Sequence, residues 1–281
     1  MNYYSSLLAC KVSSNFTVFY QPKDVKVANE VLGFAEKELA RISEDLGLKE
    51  KIKLKIWLAA DESEIEKLTQ GNFPDWGVGC AYPAKLAVIL KSPRIIKYPL
   101  NIRTLVAHEI SHVILGNLLK GTRIPRWFDE GVAMQESQEW EIGGSMRLSW
   151  ANFTHSLLPL SDIDQDFPQE SERARLAYTE SFYAVSFMIN EFGNESVKKI
   201  IESLKQTNSF SQALNMALGL NYRDFEYEWE KWVKERYTGF SVILKVFFPM
   251  GVILIIFFIV LFINLIQKRR KIRKLENLDS T

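Results

Sequence analysis

Apolar and polar positions divide the chain into a strand-rich first third and a helical remainder. Phe16 to Gln21 alternates and is rich in aromatic and β-branched residues, which predicts a strand. Between Lys23 and Leu46, apolar side chains recur at Val25, Ala28, Val31, Leu32, Ala35, Leu39, Ile42 and Leu46, the spacing of an amphipathic helix that Gly47 would stop. Lys51 to Leu58 alternates again and predicts a second strand. Asp61 to Glu64 has the form of a capping box, opening a short helix to about Gln70. Pro74 to Gly79 is turn-rich, and the stretches Gly79 to Tyr82 and Lys85 to Lys91 predict a hairpin. After Pro93 the periodicity is helical, over Ile102–Leu119, Trp127–Trp140, Glu172–Phe192, Glu195–Lys205, Phe210–Leu218 and Tyr222–Arg236.

One later segment breaks both patterns. Val246 to Ile266 contains no charged residue and is interrupted only by Pro249, Gly251 and Asn264. As a helix it would reach roughly 30 Å, the thickness of a bilayer hydrocarbon core. Lys268, Arg269, Arg270, Lys271, Arg273 and Lys274 follow at once, the basic flank that marks the cytoplasmic side of a span. The expected architecture is therefore α+β: a small mixed or antiparallel sheet, a helical subdomain after it, and one C-terminal transmembrane helix. Its parts are an N-terminal segment 1–15, a folded domain 16–237, a membrane helix 238–267 and a basic tail 268–281.

Composition narrows the function classes. The 281 residues are 47% hydrophobic and 25% charged, with 35 basic and 34 acidic side chains and a formal charge of +1. That balance excludes a wholly disordered chain and gives no general attraction to nucleic acid. The tail from Gln267 to Thr281 carries +4, leaving −3 for residues 1–266. Cys10 and Cys80 are too few for a disulfide framework or a cysteine-built metal site. Only three histidines occur, His108, His112 and His155, and two of them stand four residues apart.

Those two belong to His108-Glu109-Ile110-Ser111-His112, the pattern H-E-x-x-H, inside the helix predicted for Ile102–Leu119. Four residues advance a helix by about 400°, so both imidazoles lie one turn apart on nearly one face and can reach one ion. Zinc accepts two imidazole nitrogens and a carboxylate and keeps a fourth position for water, so the pattern calls for a third ligand. The competing reading is a pair of core histidines, since Leu105, Val106, Ala107, Ile110, Val113, Ile114 and Leu115 make the helix apolar nearly all round.

HEISH followed by Pro125-Arg126-Trp127-Phe128-Asp129-Glu130-Gly131-Val132-Ala133 resembles the gluzincin metallopeptidases, the thermolysin and aminopeptidase superfamily. The likeness is strongest to the peptidase MA-like branch, whose second helix reads W-x-x-E-G-x-A. The resemblance spans roughly Phe16 to Tyr237 and implies one zinc per chain, held by His108, His112 and Glu130. Asp129 is the rival third ligand, because neighbours on a helix point about 100° apart and only one can face the ion. The spacing from His112 to Glu130 is about one residue shorter than in the gluzincin aminopeptidases. Where the superfamily often has an aspartate four residues after the ligand, this chain has Met134. The stretch Ala177-Tyr178-Thr179-Glu180-Ser181, running on to Glu191-Phe192-Gly193, is similar to a later helix of the family. Tyr178 is then the candidate donor to the oxyanion, with Tyr183 behind it, and His155 is expected to be an ordinary surface histidine.

The reading that results is a membrane-anchored zinc metallopeptidase in which Glu109 is the general base acting on a zinc-bound water. Its partners would be a peptide or protein substrate and, through residues 246–266, the lipid bilayer. The strand Lys85–Lys91 is expected to be the edge that pairs with substrate backbone. Absence of G-x-M-E-N disfavours an aminopeptidase, and Arg103 and Lys120 at the ends of the metal helix disfavour an intramembrane protease. The alternatives are a metallohydrolase acting on a non-peptide amide and an inactive, membrane-tethered binding module with a zincin fold. The basic flank places the C-terminus in the cytoplasm and the catalytic domain outside it. MNYYSSLLAC has no basic leader for that export, although Leu7-Leu8-Ala9-Cys10 resembles the end of a lipoprotein signal, with Cys10 the acylation candidate.

Overall fold

A computed structural model describes residues 8–71, 73, 77–96, 100–138, 143–238 and 251–266. The alternating segments form β1 (Ala9–Val12), β2 (Phe16–Tyr20), β3 (Leu54–Ala59), β4 (Gly79–Tyr82) and β5 (Ala87–Lys91), one sheet of order β1-β2-β3-β5-β4. β2, β3 and β5 run parallel, while β1 and β4 join antiparallel at the two edges. β1 was not foreseen; it lies within the stretch 1–15 expected to stand outside the domain. Cys10 sits in it, exposed and opposite Phe19.

Register sorts the side chains. Val18, Ile56, Val88 and Ala81 stand in one cross-strand row, and Phe19, Trp57, Ile89 and Cys80 in the next. Successive residues of a strand point to opposite faces, so the two rows serve different layers. The second row packs toward α2 (Glu62–Thr69), through Ala59, Ile65 and Ile89 with Trp57, Leu68, Phe73 and Tyr82 around them. The first faces α1 (Val25–Leu46) and α3 (Ile102–Leu119). Every residue of β5 is buried, as expected for a strand covered on both faces. β5 is therefore interior, paired to β3 and β4, and cannot be the substrate edge expected of Lys85–Lys91. The free edge beside the metal helix is β4.

α1 buries Ala28, Val31, Ala35, Leu39, Ile42 and Leu46, and Gly47 ends it in the left-handed conformation. Buried Glu38 ties α1 to α3, accepting from Arg41 Nε at 3.0 Å and Arg103 Nε at 2.8 Å. Asn101 caps α3 by accepting from the backbone of Arg103 and Thr104. The chain then returns through α4 (Arg126–Glu136), α5 (Gly144–Phe153), α6 (Ser171–Phe192), α7 (Ser196–Thr207), α8 (Phe210–Leu218) and α9 (Tyr222–Arg236). α5 was not anticipated. α4 ends at Glu136, capped by Ser137, short of the Trp140 predicted for it; residues 139–140 lie outside the described residues.

Contacts divide the chain into two units, residues 1–144 with 157–232, and residues 145–156 with 233–281. The first holds the sheet and the helices that pack on it. Within the second, Asn152 Nδ2 donates to the Tyr237 carbonyl at 2.9 Å, and Trp150, Phe153 and Met146 are exposed on α5. Of the expected span, residues 251–266 are helical with their apolar side chains exposed, whereas 246–250 and the basic tail lie outside the described residues. Among the described residues no helix is long and apolar enough to cross a membrane.

In the first unit the Glu180 carboxyl is buried away from any cation among the described residues. Glu180 of α6 is 0% exposed; its Oε1 accepts from the Leu158 backbone at 3.0 Å, and its Oε2 has no partner among the described residues. Burial pushes its carboxyl up to about 8, with the nearby Glu230 charge adding to the rise and the Leu158 bond opposing it. The folded state thus keeps a proton that the unfolded chain releases near its ordinary value of 4.5. The stabilisation is complete below that value, declines as pH rises and is lost above the folded value. Glu180→Gln removes this dependence. Its melting temperature relative to wild type should rise by on the order of 5 °C between acid and alkaline pH, measured by calorimetry; a pH-independent difference would contradict the assignment.

Candidate metal centre and active-site cleft

α3 is a buried helix, and its polar residues are the exception on it. Leu105, Val106, Ile110, Val113 and Ile114 are at most 7% exposed, while His108, Glu109 and His112 follow one another around the face turned to α4. Gly116 lets this helix approach the sheet, since a Cβ there would lie 2.5 Å from Cβ of Pro83 in the β4–β5 turn. α4 is held by its aromatic pair. Trp127, fully buried, stacks on Phe225 at 5.7 Å and donates from Nε1 to the Tyr222 hydroxyl at 2.8 Å, and Phe128 packs on Phe210. Gly131 gives α6 room on the other side; any side chain would strike the Ser181 carbonyl and Val185.

So fixed, α4 delivers Glu130 to the two imidazoles. His108 Nε2 and His112 Nε2 are 3.1 Å apart, and Glu130 Oε2 lies 3.5 Å from the first and 3.6 Å from the second. The circle through these three atoms has a radius of about 2.0 Å, close to a zinc–nitrogen or zinc–oxygen bond length. The same three are the group of His, Cys, Asp and Glu side chains among the described residues that can hold an ion together.

Asp129 takes a different part from the one weighed for it as a ligand. Its Oδ1 lies 2.8 Å from His112 Nδ1, the nitrogen on the far side of the ring. A proton on Nδ1 that bonds to Asp129 leaves the Nε2 lone pair pointing at His108 and Glu130. His112 Nε2 and Glu130 Oε2 therefore face each other, and a cation between them, a metal ion or a proton on Nε2, satisfies both. The carboxylate partner sought four residues after the ligand is supplied one residue before it. Adjacency made Asp129 look like a competitor of Glu130; the 100° between neighbouring side chains is what lets each serve a different atom of the site.

Electrostatics follow the same arrangement. Burial works against ionising Glu130, but attraction to the His108 and His112 imidazoles outweighs it and holds the carboxyl well below its usual range. Burial likewise opposes charge on His112, yet Asp129 and Glu130 raise it well above an ordinary histidine. Burial raises Glu109, and the two imidazoles only partly offset the rise. A base that holds its proton more readily than a free carboxylate suits proton transfer near neutral pH.

These groups line a cleft of about 910 Å³ bounded by α3, α4, the first turns of α6 and the β4 edge. Glu109 is pressed against that edge: a Cβ at Gly79 would come within 2.5 Å of Oε1 and 2.9 Å of Cδ. A side chain there would displace the Glu109 carboxylate, a contact that the sequence pattern did not reveal. Lys91 N donates to Val78 O at 2.9 Å, so by antiparallel alternation Val78, Cys80 and Tyr82 bond to β5. The backbone groups of Gly79 and Ala81 face outward along the cleft. Tyr178 lines the opposite wall, its ring edge-on to Phe167 at 4.8 Å and its hydroxyl beside Arg126; burial pushes its pKa up. Tyr183 does not line the cleft and packs on Phe182. His155 is exposed, in the second unit.

The Peptidase MA superfamily profile matches residues 34–235. The chain belongs to the Peptidase MA superfamily. The matched range contains α3, α4 and the Tyr178 wall, so the family assignment and the cleft coincide. No curated protein matches the chain. A Peptidase MA domain is peptidase-like and typically zinc-dependent, and the donor set of two imidazoles and one carboxylate fits that ion.

The bond from Asp129 to His112 can be tested apart from any activity. Asp129→Ala should weaken zinc binding by about 10–100-fold, with Asp129→Asn recovering part of the loss, in competition titrations against a chelator. Unchanged affinity in Asp129→Ala would mean that the His112 ring is oriented by its packing alone.

Proposed function

We propose that the protein is a membrane-anchored zinc metallopeptidase that hydrolyses peptide bonds. The observation that carries this reading is the convergence of His108 Nε2, His112 Nε2 and Glu130 Oε2 on one point, beside Glu109 and inside an open cleft. Zinc bound there would supply a Lewis acid and lower the pKa of water toward neutrality. Glu109 accepts a proton from the attacking water and returns it to the leaving amine. Tyr178, on the far wall, donates to the carbonyl oxygen as negative charge develops on it. Substrate backbone adds to the β4 edge through the outward groups of Gly79 and Ala81, which brings the scissile bond over Glu109.

The open cleft favours turnover over a tethered binding module, a reading that a cleft filled by side chains would have supported. His108→Ala should lose the bound zinc, about one per chain, by metal analysis. Glu109→Gln should keep it and lose about 10²–10⁴-fold in hydrolysis of a quenched peptide library. Full activity in Glu109→Gln ends the proposal.

The anchor is part of the same proposal. The uncharged run 246–266 and the basic residues from Lys268 to Lys274 support a span with a cytoplasmic C-terminus and an extracytoplasmic catalytic domain. Exposed apolar side chains along 251–266, and Trp150 and Phe153 on α5 in the same unit, suit a lipid environment. Protease added to sealed cells should digest the domain; protection until the cells are permeabilised would reverse the orientation.

A further inference from the structure

Two arginines stand on the cleft wall, and neither is one of the three convergent ligands. Arg126 opens α4, and Arg175 lies one turn ahead of Tyr178 on α6. The Arg126 guanidinium lies over the Phe167 ring at 4.6 Å, beside the Tyr178 hydroxyl. Its carboxylate neighbours, Glu130 Oε1 and the exposed Asp166, are both 3.7 Å away, too far for charge-assisted hydrogen bonds. Among the described residues the Arg175 guanidinium pairs with Glu172 at 3.3 Å, with both side chains mostly in solvent. A guanidinium has five N–H donors, and an exposed ion pair of that kind is easily exchanged. Stacking on an aromatic face fixes the plane of Arg126, and the Tyr178 hydroxyl takes only part of its edge, leaving further N–H donors for a ligand.

Resting on the peptidase reading, we infer that Arg126 and Arg175 form a carboxylate-binding subsite on the wall opposite β4, selecting substrates with an anionic group close to the scissile bond. The planar fork matches a carboxylate in geometry as well as charge. Two sources present that group, an Asp or Glu side chain and the free C-terminus of a peptide. The acidic residues nearby do not occupy the subsite: Asp129 bonds His112, Glu130 faces the imidazoles, and Asp166 and Glu172 lie toward solvent.

The test uses the full-length chain in detergent, zinc-loaded, as the Glu109→Gln variant so that peptides remain intact. Fluorescence anisotropy compares peptides matched in pairs, Asp or Glu against Asn or Gln within the chain, and a free against an amidated C-terminus. At least one acidic member should bind about tenfold more tightly than its neutral match, as expected for a charge-assisted pair. Preference in the first pair assigns the subsite to a side chain, and in the second to a terminus. Arg175→Gln should abolish the preference without changing affinity for the neutral peptide, and Arg126→Lys should reduce it with zinc content and melting temperature retained. No preference in either pair, or a preference that survives both substitutions, overturns the subsite. Cleavage of neutral and acidic peptides alike by the wild-type protein would then leave the peptidase reading standing. A preference in binding with no cleavage of any peptide would instead remove the peptidase reading and keep the subsite.

Discussion

The site depends on one constraint: three electron-pair donors from two helices must arrive within about 3.5 Å of one another, although each would rather be solvated or paired elsewhere. Like partial charges converging in a buried site are unfavourable without a cation. The scaffold therefore has to hold α3 and α4 together against that repulsion. Trp127 and Phe128 do so by locking the start of α4 into the aromatic cluster formed with Phe210, Tyr222 and Phe225. Gly131 lets the same helix seat closely on α6. The W-x-x-E-G run is thus one mechanical unit, with anchor, ligand and clearance on successive faces of a single helix.

Rigidity is added from the sheet side. The Glu38–Arg103 pair ties α3 to α1, and Gly116 lets α3 lie against the β4–β5 turn. A metal helix fixed along its length places His108 and His112 before any ion arrives, so binding need not order them. The Asp129 bond extends that preorganisation to the imidazole of His112, whose orientation decides where the lone pair points.

Much of this was legible in the sequence because the chemistry is local. The bounds of α3 were read to the residue, and H-E-x-x-H needs only helical periodicity to be placed. Glu130 came from resemblance, and the structure brings its carboxylate to the two imidazoles. What escaped was either short or nonlocal. β1 is four residues whose alternation is too brief to stand out, and its partner is required to define it. α5 opens on Gly144, directly after Gly143, and shows little amphipathic contrast. The β5 error has a clear physical origin: a strand buried on both faces and flanked on both edges reads as the same apolar run that an edge strand would show. Only strand order separates the two cases, and strand order is a property of the whole chain.

The corrected edge also changes how binding and proton transfer are related. β4 presents the outward backbone of Gly79 and Ala81 to the cleft, and the missing side chain of Gly79 is where the Glu109 carboxylate packs. The surface that would receive substrate and the surface that confines the base are therefore the two sides of one glycine. Any shift of β4 moves both, so a substrate strand that straightens the edge would also reposition the carboxylate relative to the convergent ligands. Glu109, 6% exposed and raised by burial, has little room to adapt on its own. On the proposed reading its geometry is set by the strand, which would place control of the base in the element that would receive the peptide, outside the metal helix.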